Sequence, residues 1–594
     1  MKAVSQNNHP VNVLMGKDRN RNFYIVNFDS RQVTPRLSLG STWVGQDKRH
    51  NRRFLLRVVE LGYPDDYDPT NILPPLRENP DMPFNEKDYQ YYCSEKAWMR
   101  LEGELTQQGL VEVVDQPTVL QTFLVPTTSH DDLMIASPDT QDGFAIGHLR
   151  SGNKRLEPLI TLRDRFVGHR TLISGTSGFG KSTLMRNIAR YWLEDTNYGK
   201  LIDDIKCEYV DDIVNEDKLT DSGLYHHPNA KQHLYLLTSQ PRRFEGIGLE
   251  EKIAGIIPLS FSIDDIPPAS LKGVATHLSD AQRAFLDMYQ DKPGLFRILL
   301  EEQEDGSPDP TAWPTIFGGW ISLTKEAKAK MKKGDYTPEI SDIAHNTLTP
   351  IYGIVRQLKR LAYRPYITKV SSNSCLPKLV DLLKAGATIL LDKSNLTDSD
   401  RIVISTVIAD HLYRHNESAS SGNLEEQAKI VPFVYVVEEA HNLLSTEMVR
   451  EESVFVDFAK TGRSFRIGLV AITQQPSSID TKITSQFDNY ITLRLMSERD
   501  VKDLVSATSA FQDYEGEIRS LAKGSALAVF DEMLRVQSIQ VFEWTDERAR
   551  TLLSKEQELI FQRLRLEIAD IKVAAMMKSD HVTSEDSNLL PTEL

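Results

Sequence analysis

One stretch of this chain limits its fold more than any other: Leu172 to Met185, LISGTSGFGKSTLM. Within it, GTSGFGKS (175–182) fits the pattern G-x-x-x-x-G-K-[ST] without a mismatch. A β-prone run, Arg170 to Ser174, leads into it, and a helix-prone run, Lys181 to Leu193, leads out. The glycines let the backbone curl so that its N–H groups point inward, and the N-terminus of the helix adds partial positive charge. Gly175, Thr176, Ser177, Gly178, Phe179, Gly180, Lys181, Ser182 and Thr183 are therefore expected to cradle nucleotide phosphates. Phe179 is bulky for such a loop, but positions facing solvent there tolerate it. Lys181 is expected to reach the β- and γ-phosphates and Ser182 to ligate Mg²⁺, so ATP and Mg²⁺ are the implied cofactors.

Hydrolysis needs an acid for the metal and a base for the water. Phe433 to Val437 reads as a buried strand and ends in Glu438-Glu439-Ala440-His441. Consecutive strand residues point to opposite sides, so two adjacent carboxylates at a strand tip can take different roles. Glu438 is expected to hold the Mg²⁺ shell and Glu439 to polarise the attacking water. A strand at 387–391 lies in sequence between the P-loop and this acid, an order that matches the branch of P-loop ATPases carrying an extra glutamate. The next strand, RIGLVAIT (466–473), ends in Gln474-Gln475. Gln474 is expected beside the γ-phosphate, where it could sense hydrolysis; a solvated glutamine at a loop start is the plainer alternative.

Strands at 170–174 and 200–204 around the helix give a βαβ alternation, hence an α/β fold with a parallel sheet. The alternation breaks from about 210 to 380, where helical patterns such as ASLKGVATHLSDAQRAFLDMY (269–289) and NTLTPIYGIVRQLKRLA (346–362) predict a helical insertion. It resumes with ATILLD (387–392) and runs to NYITLRL (489–495). Residues 1–150 read as β-rich, with runs at 23–28, 54–61, 109–114 and 118–125 and a Pro/Asp-rich loop at 63–81, suggesting a small barrel or sandwich. A charged helical tail covers 546–594.

At 594 residues and 40% hydrophobic, the chain can bury large cores in several domains. No apolar run approaches the ~18 residues that span a bilayer, which speaks against a membrane partner. The N-terminus carries no apolar signal region, which argues against export. Three cysteines, Cys93, Cys207 and Cys375, make an odd, sparse set that points to a reducing cytoplasm rather than a disulfide framework. A net charge of −15 does not suggest a nucleic-acid-coated protein, yet a DNA channel needs basic residues only on its lining.

Taken together, GTSGFGKST, LIDDIKCEY (201–209), VYVVEEAHNLL (434–444), GRSFRIGLVAITQQPSSID (462–480) and SQFDNYITLRL (485–495) resemble the HerA–FtsK superfamily, and within it the HerA-like hexameric ATPases. His169, just before the P-loop strand, is similar to that group as well. The resemblance covers roughly 140–545. It implies a RecA-like P-loop ATPase core (151–209 and 381–545) with a helical insertion (210–380), plus an N-terminal β-barrel domain (1–150). It also implies a homohexameric ring with ATP sites between subunits and a pore that translocates double-stranded DNA. Asp204 and Glu208 fall where the family has an acidic pair near the nucleotide. Arg463 and Arg494 compete for the role of an arginine reaching the neighbouring subunit's γ-phosphate. Divergent bacterial members imply a partner, either a nuclease or a sirtuin-like NAD-consuming effector, docking on the N-terminal domain in antiphage defence. Three residues depart from the family pattern: Cys207 stands for a glycine, Glu438 for the commoner aspartate and Gln475 for an arginine.

Candidate phosphate contacts with DNA are KEAKAKMKK (325–333), RQLKR (356–360) and DKRHNRR (47–53), with a solvated helix face the plainer reading of the first. Two other functions share these motifs. One is the ATPase of a conjugation or type IV secretion machine. The other is an ATP-gated scaffold that assembles an effector without translocation.

Overall fold

The computed structural model describes residues between 13 and 542, leaving aside 29–36, 63–94, 128–142, 215–219, 273–277, 303–307, 310–322 except Trp313 and Phe317, 333–341, 531–534 and shorter gaps of one or two residues. The expected loop at 63–81 and the expected helical tail at 546–594 lie outside the described residues.

The N-terminal region forms an antiparallel sheet of seven strands: β1 (Leu14–Lys17), β2 (Tyr24–Phe28), β3 (Thr42–Asp47), β4 (Arg52–Gly62), β5 (Glu95–Thr106), β6 (Gly109–Val111) and β7 (Thr122–Pro126). Their order is β1-β2-β5-β4-β3-β7, with β6 paired to β5, and a bridge between Val13 and Phe123 joins the two ends. Alternating apolar positions give this sheet its own core of Trp43, Phe54, Leu56, Val58 and Met99. The run expected at 109–114 shortens to β6, and the one expected at 118–125 starts only at Thr122, because Thr118–Gln121 turns through a left-handed Leu120. DKRHNRR lies on the β3–β4 connection, as a turn.

The remaining strands build one twelve-stranded sheet. In chain order they are β8 (Gly143–Ser151), β9 (Lys154–Arg163), β10 (Arg170–Ser174), β11 (Gly199–Asp204), β14 (Leu234–Thr238), β15 (Gly255–Pro258), β18 (Thr388–Asp392), β19 (Phe433–Val437), β20 (Ile467–Thr473), β21 (Asn489–Thr492), β22 (Ser525–Val529) and β23 (Gln537–Val541). Two ribbons, β12 (Ile213–Val214) with β13 (Thr220–Asp221) and β16 (Phe261–Ser262) with β17 (Ile367–Thr368), stand apart. The sheet order is β15-β14-β18-β11-β19-β20-β10-β21-β22-β23-β8-β9. From β15 to β21 all neighbours are parallel, and from β21 onward they are antiparallel. The central parallel strands β19 (FVYVV) and β20 (IGLVAIT) are continuous apolar runs with every residue buried, as expected for strands covered on both faces.

Two sequence expectations change here. The strand at 388–392, β18, does lie in sequence between the P-loop and the acid; in the sheet β20 separates β10 from β19, and β18 sits on the far side of β11. The stretch read as a helical insertion also supplies β14 and β15, which extend the core sheet. Its helices include Asp280–Met288 and His345–Ala362, the second carrying RQLKR, and Lys325–Met331, where KEAKAKM is helical as expected. Finally, β8 crosses position 150 and pairs with β23 and β9, so the core sheet takes in residues from 143 onward.

The two sheets meet through buried ions. Arg57 of β4 donates to Glu517 Oε1 at 2.6 Å and Oε2 at 3.0 Å, and Arg150 of β8 donates to the same carboxylate at 2.8 Å. Gly40 permits the approach: a Cβ there would sit 2.4 Å from Glu517 Oε1. The Tyr514 hydroxyl donates to Glu102 of β5 at 2.8 Å, and the Arg57 guanidinium lies 5.0 Å from the Tyr514 ring centre.

Candidate nucleotide site

Parallel strands end along one edge of the sheet, and ligands in open α/β sheets gather outside those carboxyl ends. The strand register brings the expected residues to that edge. Ser174 at the end of β10 is level with Thr473 of β20 and Thr492 of β21. Ile202 is level with Val436, so Asp204 and Glu438 stand at matching heights two residues further on.

The loop 175–180 closes over the end of β10. Gly175 is required by close approach, since a Cβ there would lie 2.8 Å from the Leu493 Cβ. Gly180 sits at φ 106°, where a side chain would be strained, and starts the helix Lys181–Trp192. Ser177 and Gly178 are exposed at the crown of the loop, and Phe179 and Ser182 are partly buried. Lys181 donates to the carbonyls of Gly175 at 2.7 Å and Thr176 at 3.1 Å, so its ammonium is held inside the loop. Burial lowers its pKa, opposed by the charge of Glu439.

Glu439 follows β19 with a left-handed backbone, φ 48°, which turns its side chain away from the strand. Its Oε1 accepts from Gln474 Nε2 at 2.8 Å, and His441 Nδ1 is 3.5 Å from its Oε2. The structure thus pairs the expected base with the expected sensor. Glu438 sits on the other side of the tip. Its Oε1 accepts from the Tyr209 hydroxyl at 2.7 Å and its Oε2 lies 3.4 Å from the Ile205 amide nitrogen. Burial, with Asp204 and Glu208 nearby, pushes its carboxyl up to about 8, against the Tyr209 hydrogen bond.

Asp204 is fully buried, and both its oxygens are used locally: Oδ1 accepts from the Glu208 amide at 2.8 Å and Oδ2 from the Tyr209 amide at 2.9 Å. Burial raises it to about 7 despite those bonds. Glu208 is the more accessible of the two, with Lys206 Nζ 3.6 Å from its carboxylate. Cys207 takes φ 60°, the left-handed region. That backbone explains why a glycine is usual at this position and marks the cysteine as a strained replacement.

The two arginines separate. Arg494, two residues past β21, accepts the Thr176 amide on its carbonyl at 2.8 Å, and its guanidinium lies 5.3 Å from the Phe179 ring centre. It belongs to the chain's own loop. Arg463 is exposed beside Gly168, before β10 and β20 begin. At about 3.3 Å per residue, seven residues of β20 put roughly 20 Å between it and the strand tips. His169 lies at that same far edge, 3.8 Å from Asp488.

Sequence reasoning missed Tyr209 as a site residue, because a tyrosine after an acidic turn reads as core. It missed His441 because a single histidine carries no pattern. The residues present suit a magnesium–nucleotide pair. Among the described residues no trio of His, Cys, Asp or Glu is arranged to hold a metal alone. A P-loop magnesium ion takes only one or two protein ligands and draws the rest from phosphates and water, which a lone tip carboxylate and Ser182 match.

No family model matches the chain. It is similar to the DNA double-strand break repair helicase HerA of Sulfurisphaera tokodaii, 25% identical over 255 residues, which is 40% of this chain and 50% of the relative. It is also similar to HerA of Pyrococcus furiosus, 23% identical over 327 residues, 50% of this chain and 57% of the relative. The chain thus spans about half the length of the curated relatives it matches. Among solved structures, VirB4 of Thermoanaerobacter pseudethanolicus aligns at 12% identity and TM-score 0.41 over 69% of this chain and 99% of that one. The plasmid coupling protein TrwB in complex with ADP and Mg²⁺ aligns at 12% identity and TM-score 0.41 over 69% of this chain and 98% of that one.

Proposed function

We propose that this chain is a HerA-like ATP hydrolase that moves double-stranded DNA through a ring of six copies, a reading supported by its similarity to the HerA helicases. The observation that carries the reading is the Glu439–Gln474 pair at 2.8 Å, placed at the strand tips beside the P-loop. Glutamine holds the base in one orientation. Glu439 can then accept a proton from the attacking water, and Gln474 is linked to whatever the γ-phosphate does. Lys181, held by loop carbonyls, exchanges those bonds for phosphate oxygens when nucleotide enters. Ser182 and Glu438 would hold Mg²⁺, which neutralises phosphate charge. Arg494 serves the chain's own nucleotide. Arg463, exposed at the far edge, is the residue available to a neighbour's site.

The N-terminal sheet, whose end strands meet at Val13–Phe123, we read as a barrel that docks a partner. Cutting or NAD consumption is then the work of that separate nuclease or sirtuin-like effector, in antiphage defence inside the cytoplasm. Among the described residues no helix is long and apolar enough to cross a membrane.

The test is ATP turnover by the purified chain with and without linear duplex DNA, beside Lys181→Ala, with particle mass from light scattering. The proposal expects a hexamer-sized particle, turnover raised several-fold by duplex DNA, and loss of nucleotide binding and turnover in Lys181→Ala. Slow turnover indifferent to DNA in a hexamer would overturn the autonomous motor and favour an ATP-gated scaffold.

A further inference from the structure

The segment after β11 does something the motif reading did not assign. Asp204 is fully buried and accepts from the amides of Glu208 and Tyr209, so it closes the turn 205–209. Arg186, in the helix that follows the P-loop, donates to the Glu208 carbonyl and ties this turn to the phosphate-binding helix. The left-handed Cys207 completes the bend. What the turn delivers is Tyr209. Its ring is fully buried in the apolar cluster with Ile202, Leu184 and Val436. Its hydroxyl lies 2.7 Å from Glu438 Oε1. A phenylalanine would fill the same space; only a tyrosine supplies a donor there, and a buried phenol needs such a partner.

Resting on the reading of Glu438 as the metal-shell carboxylate, we propose that Tyr209 is a positioning residue: its hydroxyl fixes the Glu438 carboxylate at the strand tip in the orientation that receives the metal of a metal–nucleotide pair. Glutamate has more rotatable bonds than the aspartate usual at this position and loses more freedom when ordered. The 205–209 turn compensates by holding one oxygen through Tyr209 and standing close to the other through the Ile205 amide. Asp204 acts one step further out, through the turn. Hydrogen bonds behind metal ligands typically change metal affinity by about 10- to 100-fold when removed.

The experiment measures Mn²⁺ binding by electron paramagnetic resonance to the full chain saturated with ADP, and ADP affinity in EDTA. Tyr209→Phe is expected to weaken Mn²⁺ binding about 10-fold while metal-free ADP affinity and the melting curve stay near wild type. In a Glu438→Gln background the same change is expected to have no further effect. Mn²⁺ affinity within two-fold of wild type, or an equal loss in both backgrounds, overturns the proposal. If wild type binds no Mn²⁺·ADP, or Lys181→Ala binds it as well as wild type, the nucleotide-site reading itself falls and takes the proposal with it. Should Tyr209→Phe fail to fold, 3-fluorotyrosine at position 209 gives a second readout. Its fluorine resonance is expected to shift when Mg²⁺ is added to the ADP-bound chain, and a resonance that does not respond overturns the proposal.

Discussion

Two buried carboxylates in this molecule have opposite surroundings. Asp204, at the nucleotide edge, is fully buried and bonded only to backbone amides, and burial raises its carboxyl to about 7. Glu517, at the junction of the two sheets, is equally enclosed but sits between Arg57 and Arg150, and their charges hold it below the usual glutamate range against the cost of burial. Glu438 belongs with the first case and is raised to about 8. The cations of the junction are built into the fold. At the nucleotide edge the carboxyls of Asp204 and Glu438 crowd one another, and among the described residues neither has a cation in ion-pair contact, although Lys206 lies 3.6 Å from Glu208 and Lys181 feels the charges of Glu439 and Glu438. Burial alone says little about role: a built-in counter-charge marks the Glu517 clamp, whereas Asp204, which closes the turn 205–209, and Glu438, at the strand tip, have no such partner.

The contrast breaks most visibly at the clamp. Glu517→Ala leaves Arg57 and Arg150 buried without the carboxylate they share, and it is expected to destabilise the chain by about 3–5 kcal/mol in thermal or denaturant unfolding. Glu438→Gln, by removing a carboxyl that burial penalises, is expected to cost little or nothing in the same assay at neutral pH. Equal losses in both would erase the distinction.

The two regions should also answer pH in opposite senses. Glu517 has a depressed pKa, so the stability it contributes is present above the unfolded value and is lost as pH falls through its folded value. Asp204 and Glu438 have raised pKa values, so the folded state holds their protons longer than the unfolded state does, and stability falls as pH rises from about 4 towards about 7 and about 8. The slope can reach about 1.4 kcal/mol per pH unit for each proton so retained. Unfolding curves between pH 5 and 8 should therefore be flatter in Glu438→Gln than in wild type, while Glu517→Gln should leave that slope alone and act on the acid side. A wild-type slope unchanged by Glu438→Gln would contradict the assignment.

The smallest effect concerns the turn that shapes the nucleotide edge. Cys207 at φ 60° bears a left-handed penalty of about 1 kcal/mol. Cys207→Gly relieves it and gives up a small buried side chain, so the change in stability should stay within about 1 kcal/mol. Cys207→Val, β-branched at that backbone, should be clearly worse although valine is the more apolar residue. Melting temperatures of the two variants decide this.

Much of the nucleotide edge could be read from sequence because its parts are local. The P-loop is eight consecutive residues, Glu438 and Gln474 directly follow apolar strands, and Glu439 is the next residue after Glu438. What escaped reading was pairing at a distance. Tyr209 meets Glu438 across 229 positions and Arg57 meets Glu517 across 460. Nothing in the local pattern of either member announces the other. The fold shows the same divide. β19 and β20 were plain as apolar runs that end in the expected site residues, whereas β14 (LYLLT), as long as β19, and the four-residue β15 (GIIP) fall inside a stretch whose longer patterns are helical. β5, with EKAWMRLEGELT, hides its strand in charges on the open face. Arg463 and Arg494 looked equivalent because sequence does not give the edge of the sheet to which a residue belongs.

The central claim is that the strand tips form a hydrolytic centre in which Glu439, held by Gln474, is the base. The most direct measurement follows ATP turnover and binding of a fluorescent ATP analogue in one preparation of Glu439→Gln. The account predicts binding within about three-fold of wild type and turnover reduced by at least the ~100-fold that a general base contributes. Turnover near the wild-type rate, or binding lost in step with turnover, would contradict it.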